Sequence, residues 1–388
     1  MIYFDNAATG AIKPASVIRA VQTALENYSA NPGRSGHTLS VKTAEKIFNC
    51  REKIANFFGS PHPENVVFTL NCTHAINCVI KGILKQGDHV VVSDLEHNAV
   101  IRPLESLKRK GIITYDTAKV SFDDNDITLH NFRKCINSKT ALVICTHASN
   151  VTGRILPIDK IGSLCREKNI PFAVDAAQSA GVLKINMEKQ KIDYLCVAPH
   201  KGLFAPCGIG VLIAEKPIYD VLIEGGTGSV SVSPVQPPFM PDRLESGTVN
   251  VPGIFGLSAG MDFIKNKGID EIYKYEFSLL EKLYYNLENI KAIKLYTPFP
   301  KIGEYVPVIP FNFSGVKSDV TASALNDFGI AVRAGFHCAP LAHRKLNTME
   351  SGAVRVSLGA FNNNKNIDYL VNVLKNSNFR KKLYQTID

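Results

Sequence analysis

The sequence predicts an α/β fold: a large, mostly parallel sheet domain and a smaller α+β C-terminal domain. Three observations predict it. Short, continuously apolar runs such as residues 141–146 (ALVICT) and 171–175 (PFAVD) alternate with segments of helical period. Runs of that kind are strands buried on both faces, the pattern of a parallel sheet covered by helices. Beyond about residue 224 the rhythm breaks, and the last third mixes helices with isolated strands. The 388 residues also exceed the length over which one core keeps growing, so two domains are expected.

The elements follow in order. Residues 65–69 (NVVFT) read as a strand. Ile76, Val79, Ile80 and Ile83 then recur at the spacing of one helix face. Residues 89–92 read as a strand, followed by a helix to about Lys110. The run at 141–146 precedes a helix from about Pro157, a residue suited to a first helical turn. Residues 171–175, 194–197 and 209–214 complete the buried strands. Residues 224–242, with GGTGS and several prolines, read as a long functional loop. A long helical stretch is expected from about Val251. A further helix is expected near residues 319–328 with Asp319 as its N-cap, and a strand at 353–357.

Composition narrows the class. Hydrophobic residues make up 45% and charged residues 20%, as in an ordinary globular protein. The formal charge of +9 is spread along the chain and reads as a solvated basic surface rather than a nucleic-acid face. It would also suit an anionic cofactor or an acidic partner. Nine cysteines, an odd number without C-x-x-C spacing, suit a reducing compartment and argue against a metal site. The start MIYFDNAATG has no long apolar stretch behind a basic end, and no segment approaches the roughly 20 apolar residues of a membrane span. A cytoplasmic protein with no membrane partner is expected.

In open parallel sheets, ligands gather at the carboxyl ends of strands. Asp175 ends one run, Asn150 follows another, and His200-Lys201 follows the strand at 194–197. A carboxylate at a strand end and a lysine downstream suit pyridoxal phosphate. The carboxylate keeps the pyridine nitrogen protonated, and the amine forms a Schiff base with the cofactor aldehyde. Singly, such an aspartate is often a helix cap and such a lysine a surface residue; their joint placement carries the reading. Asn71-Cys72-Thr73-His74 lies between a strand and a helix, where free N–H groups bind phosphate. Thr73 adds a hydroxyl there, or only caps its helix. His97 either stacks on a planar cofactor and shuttles protons, or is a half-buried ring satisfied by the backbone.

A second cluster is Arg333-Ala334-Gly335-Phe336-His337-Cys338-Ala339-Pro340. An arginine, a histidine and a glycine around Cys338 make the surroundings of a nucleophilic cysteine, although most cysteines are inert. Arg355, on the strand at 353–357, has the planar fork that grips a carboxylate. The other eight cysteines read as structural, with Cys72 set apart by its place in the phosphate turn.

Together these motifs resemble the cysteine desulfurase family, within the class V aminotransferase group of fold-type I pyridoxal-phosphate enzymes. The likeness runs from Tyr3-Phe4-Asp5-Asn6-Ala7-Ala8 to Asn362. It rests most on Val174-Asp175-Ala176-Ala177-Gln178, His200-Lys201, Gly247-Thr248 and the Cys338 segment. The short cysteine loop, followed by Leu341-Ala342-His343, is most similar to the branch that includes selenocysteine lyases. The resemblance implies a seven-stranded-type sheet domain at residues 13–255. Residues 1–12 and 256–388 would form the small domain with the cysteine loop. It implies that Lys201 is the Schiff-base lysine, Asp175 the partner of the pyridine nitrogen, and Gln178 the partner of the ring oxygen. His97 would stack on the ring, and Thr73 and His200 would hold the phosphate. Thr248 would reach the phosphate of a neighbouring subunit in a homodimer. Asn150, Arg355, His37 and Arg333 would bind L-cysteine or L-selenocysteine, and Cys338 would take the sulfur for an acceptor protein.

There are departures. Ala198 and Pro199 stand where relatives commonly have a hydroxyl phosphate ligand, Cys72 where a second threonine is common, and Asn363 where threonine is frequent. Selenocysteine lyase, another class V activity on the same scaffold, and a catalytically quiet sulfur-transfer partner remain alternatives on sequence alone.

Overall fold

The structure, a computed structural model, describes residues 1–32 and 36–385. In chain order the first elements are β1 (Ile2–Tyr3), α1 (Ala15–Asn27), α2 (Thr38–Phe58), β2 (Val66–Thr69), α3 (Cys72–Ile83), β3 (Asp88–Ser93), α4 (Asn98–Arg109) and β4 (Ile113–Ala118). Next come α5 (Asn125–Cys135), β5 (Thr140–Thr146), α6 (Ile158–Glu167), β6 (Phe172–Asp175), β7 (Tyr194–Val197) and β8 (Gly210–Ala214). The remainder are α7 (Val251–Lys267), α8 (Ile269–Glu288), β9 (Ile293–Leu295), β10 (Val308–Phe313), α9 (Ser318–Asp327), β11 (Ile330–Ala331), α10 (Pro340–Lys345), β12 (Val354–Ser357), α11 (Asn364–Lys375) and α12 (Ser377–Gln385).

Seven strands form one sheet in the order β2-β8-β7-β6-β5-β3-β4. All its neighbours pair in parallel except β8, which is antiparallel to both β7 and β2. Because side chains alternate across a sheet, each central strand feeds two cores. Val143, Cys145, Val174 and Leu195 enter one apolar cluster; Leu142, Ile144, Ala173 and Cys196 enter the other. This double burial is why the central strands read as unbroken apolar runs. β4 lies at the sheet edge and its middle residues are partly exposed, so it carries no such run.

A second core surrounds the antiparallel sheet β12-β10-β9 and is closed by residues of α8, α9 and α11. The N-terminus joins it: β1 pairs in parallel with β11, and Phe4 is fully buried there. Residues 224–242 hold no helix or strand, as expected of the loop. The helical stretch from Val251 is two helices, parted at Gly268, whose φ of 82° is left-handed. Two expected helix starts are corrected. Pro157 is itself the N-cap of α6. Lys317 is the N-cap of α9, so Asp319 falls inside the first turn, where its charge meets the helix dipole. Among the described residues, no helix is long and apolar enough to cross a membrane.

α7 belongs to the core of the large sheet through Ile254, Leu257, Met261 and Ile264. It lies close to the turn that follows Lys201. A Cβ at Gly260 would overlap the Leu203 carbonyl, and one at Gly256 would come within 2.6 Å of Pro206 Cδ. Gly260→Ala is therefore expected to destabilise the protein by about 1–3 kcal/mol, as overpacking does. Denaturant unfolding measures this, and an unchanged midpoint would show that the helix shifts at no cost.

Candidate active site

The carboxyl ends of the parallel strands converge on one cavity of about 250 Å³. Each end supplies a side chain to its lining by a short run of chain. β6 ends on Asp175, β3 leads to His97, β5 to Asn150 and β7 to Lys201. α3 presents its N-terminus with Cys72 and Thr73. The small domain adds Arg333, His337, Cys338 and Arg355.

Asp175 is buried and accepts the Ala177 N–H at 2.9 Å. The Cys72 thiol lies 3.7 Å from the same oxygen. Burial, then Asp175, push the Cys72 thiol well above its ordinary pKa, so it stays protonated. Lys201 is pulled the other way. Burial lowers its amine pKa, Asp175 and Cys72 oppose, and Arg355 and Arg333 add to the lowering. An amine so placed holds a larger share of the neutral, nucleophilic form.

The histidines are neutral donors or acceptors rather than cations. His97 caps α4: its Nδ1 accepts the Ala99 N–H at 3.0 Å, and burial lowers its pKa. His200 Nδ1 lies 3.0 Å from Thr9 Oγ1, and burial with Lys201 and Lys13 brings it to about 4. Thr73 does not cap α3. Asn71 does, with Oδ1 accepting the His74 N–H at 2.9 Å. Thr73 is exposed and lines the cavity beside His200 and Ala198, so its hydroxyl is left for a ligand. Gln178 lines the cavity while its Nε2 donates to the Ala7 carbonyl at 2.9 Å.

Arg355 is 2% exposed. Its Nη2 meets Asp5 Oδ1 at 2.5 Å, its Nη1 donates to the Asn150 carbonyl at 2.9 Å, and its Nε is buried with no partner. Asp5 also faces Arg333 Nη1 at 3.9 Å. The sequence reading gave Asp5 no role. Its place in the N-terminal motif was the available signal, but it is the β1–β11 pairing and the bridge from Asp5 to Ser357 on β12 that bring it to the arginines.

Cys338 is exposed at the cavity mouth. Cys207 is exposed as well, in the turn before β8, which corrects the reading of all other cysteines as structural. His37 and Thr248 are not brought to this cavity. His37 is exposed and caps α2, its Nδ1 accepting the Ser40 N–H at 3.2 Å. Thr248 is exposed in a separate groove with Asn31, Phe48 and Gly247.

A site at the carboxyl ends of a parallel sheet, with a half-buried lysine near a buried aspartate, is accompanied by family-level similarity along almost the whole chain. The chain belongs to the aminotransferase class-V family, whose model matches residues 2–370. It is 33% identical to a probable cysteine desulfurase of Pyrococcus abyssi, over 97% of this chain and 94% of that one. It is 30% identical to one of Synechocystis sp., over 97% and 90%. Among solved structures it resembles the apo cysteine desulfurase of Thermococcus onnurineus, with TM-score 0.89 and 31% identity over 96% of this chain and 94% of that one. It also resembles the cysteine desulfurase CsdA of Escherichia coli, with TM-score 0.86 and 26% identity over 98% and 95%.

Glu96, next to His97, ties two strand ends together. Its carboxyl accepts the Thr146 N–H at 3.0 Å and bonds the Ser93 hydroxyl. Burial raises its pKa from 4.5 to about 8 against those bonds. The neutral form is thus favoured on folding. That contribution to stability is fully present below pH 4.5 and is lost as pH rises through about 8. Glu96→Gln is expected to lack this loss. Unfolding curves of both proteins between pH 5 and 9 measure it, and parallel pH dependences would refute the assignment.

Proposed function

We propose that the protein is a pyridoxal-phosphate-dependent cysteine desulfurase, which converts L-cysteine to L-alanine and leaves the sulfur as a persulfide on Cys338. The observation that carries this reading is one cavity lined by both Lys201 and Cys338, with Asp175 beneath and Arg355 at its side.

The residues present fit the cofactor. A buried carboxylate, a depressed-pKa lysine, a helix N-terminus with a free hydroxyl, and an orphaned guanidinium N–H together complement a cationic ring nitrogen, an aldehyde and anionic groups. Lys201 would carry the cofactor, Asp175 pair with its ring nitrogen, Gln178 with its ring oxygen, and His97 with its face. Thr73, His200 and the α3 N-terminus, with Cys72 in its first turn, would take the phosphate. Ala198 offers no hydroxyl, so His200 and its partner Thr9 bear more of that load. Bound pyridoxal phosphate supplies an electron sink for charge developing at the substrate α-carbon.

The chain's own groups do the rest. Arg355 and Asn150 orient the amino acid, with the guanidinium on its carboxylate and Arg333 beside it. The Lys201 amine moves the α-proton, and the neutral His97 ring hands over a proton at the cavity wall. The Cys338 sulfur then attacks the substrate sulfur. An S–S bond forms, the C–S bond breaks with its electron pair staying on carbon, and the Cys338 proton is balanced by the one gained at the alanine methyl. The exposed position of Cys338 suits onward delivery to an acceptor protein. The grooved, exposed position of Thr248 supports a homodimer in which it serves the neighbouring subunit's phosphate, and the exposed position of His37, away from its own chain's cavity, is compatible with such a dimer.

Lys201→Ala is expected to abolish the visible Schiff-base absorption of the protein. Cys338→Ala is expected to keep that absorption and lose alanine and sulfide production from cysteine. Alanine assay with spectroscopy measures both, and full sulfide release by Cys338→Ala would sink the nucleophile assignment.

A further inference from the structure

The loop that presents Cys338 holds two successive non-glycine residues in left-handed backbone, with φ of 49° at His337 and 55° at Cys338. Each costs about 1–2 kcal/mol relative to ordinary helical backbone, so neighbouring contacts must hold the pair. Backbone acceptors account for part. Asn150 Nδ2 donates to the His337 carbonyl at 2.8 Å, and the Asn98 N–H donates to the Cys338 carbonyl at 2.6 Å. The remainder is a side-chain relay that the reaction above does not use. His337 Nδ1 lies 3.2 Å from His343 Nε2, and His343 Nδ1 lies 2.7 Å from Thr348 Oγ1. His343 and Thr348 are fully buried, and the two imidazole planes lie within 14° of each other.

Both rings are neutral. Burial brings His343 to about 4, and burial with Arg355 brings His337 to about 2, so near neutral pH each ring carries one N–H. The Thr348 hydroxyl has two acceptors in reach: His343 Nδ1 at 2.7 Å and the His343 carbonyl at 3.4 Å. In each contact one atom donates and the other accepts, so the three side chains form one hydrogen-bonded chain whose donors all run the same way. His337 Nε2 is buried without a hydrogen-bond partner, so the contact to His343 is what anchors the ring.

We propose that His343, braced by Thr348, is a positioning residue: it fixes the plane of the His337 ring and so holds the left-handed pair that sets Cys338 at the cavity mouth. The consequence for turnover rests on the desulfurase reading; the consequence for the cysteine does not. Three variants of the full chain test it: His343→Leu, His343→Gln and Thr348→Val. Cys338 alkylation by iodoacetamide is followed by peptide mass without cofactor, and alanine formation from cysteine with cofactor. His343→Leu is expected to change the Cys338 alkylation rate about threefold or more and to lower kcat about tenfold with little change in KM, the signature of a misplaced reacting group. His343→Gln, whose amide can still hydrogen-bond His337 Nδ1, is expected to recover most of both. Thr348→Val, nearly the same shape without the hydroxyl, falls between and decides the matter if His343→Leu does not fold. Wild-type alkylation and kcat in Thr348→Val and His343→Leu, or a glutamine variant no better than leucine, would overturn the proposal. Should the wild type release no alanine from cysteine, the desulfurase reading fails and the alkylation series alone decides this inference.

Discussion

The Lys201 amine lies buried within the field of the Asp175 carboxylate, and the rest of the structure serves that placement. A charged ammonium is costly to bury, while a carboxylate nearby favours it. Burial is the larger effect, and Asp175 with Cys72 only moderates it. The sheet makes this possible by bringing β6 and β7 side by side, so that the residues after their carboxyl ends share one cavity. α7 closes the lysine turn from outside through small residues that let it approach.

The cavity is weighted toward cations. Lys201, Arg333 and Arg355 line it, against the single carboxylate of Asp175, with Asp5 behind the arginines. His97 and His200 stay neutral because burial denies them a charge. Such a site awaits anionic groups. Asp5 satisfies the buried guanidinium meanwhile, since an unpaired charge there would be far more costly than a shared one. The N-terminal strand is therefore part of the site, although it pairs with the second core.

Cysteine chemistry is divided by burial. Cys72 sits beside Asp175 but is dry and kept protonated. Cys338 is exposed on a backbone turn that its neighbours hold in an uncommon conformation. The structure ties down the carbonyls of Gly335, His337 and Cys338 with donors from Ala353, Asn150 and Asn98. Solvent reaches the sulfur while the backbone is pinned.

Much of this was legible in the chain itself. The central strands announced themselves because burial on both faces demands unbroken apolar residues, and β7 has the expected bounds. Lys201, Asp175, Asn150, His97 and Thr73 were legible because ligands collect at strand ends. Edge strand β4, the α9 cap and the exposed Cys207 were not, since partial exposure and local capping leave weak patterns. Only tertiary structure brought Asp5 to Arg355, drew His343 and Thr348 into a relay with His337, and left His37 and Thr248 outside the cavity. Periodicity reports what one element buries. Which distant residues meet depends on how two cores pack together, and no local pattern encodes that.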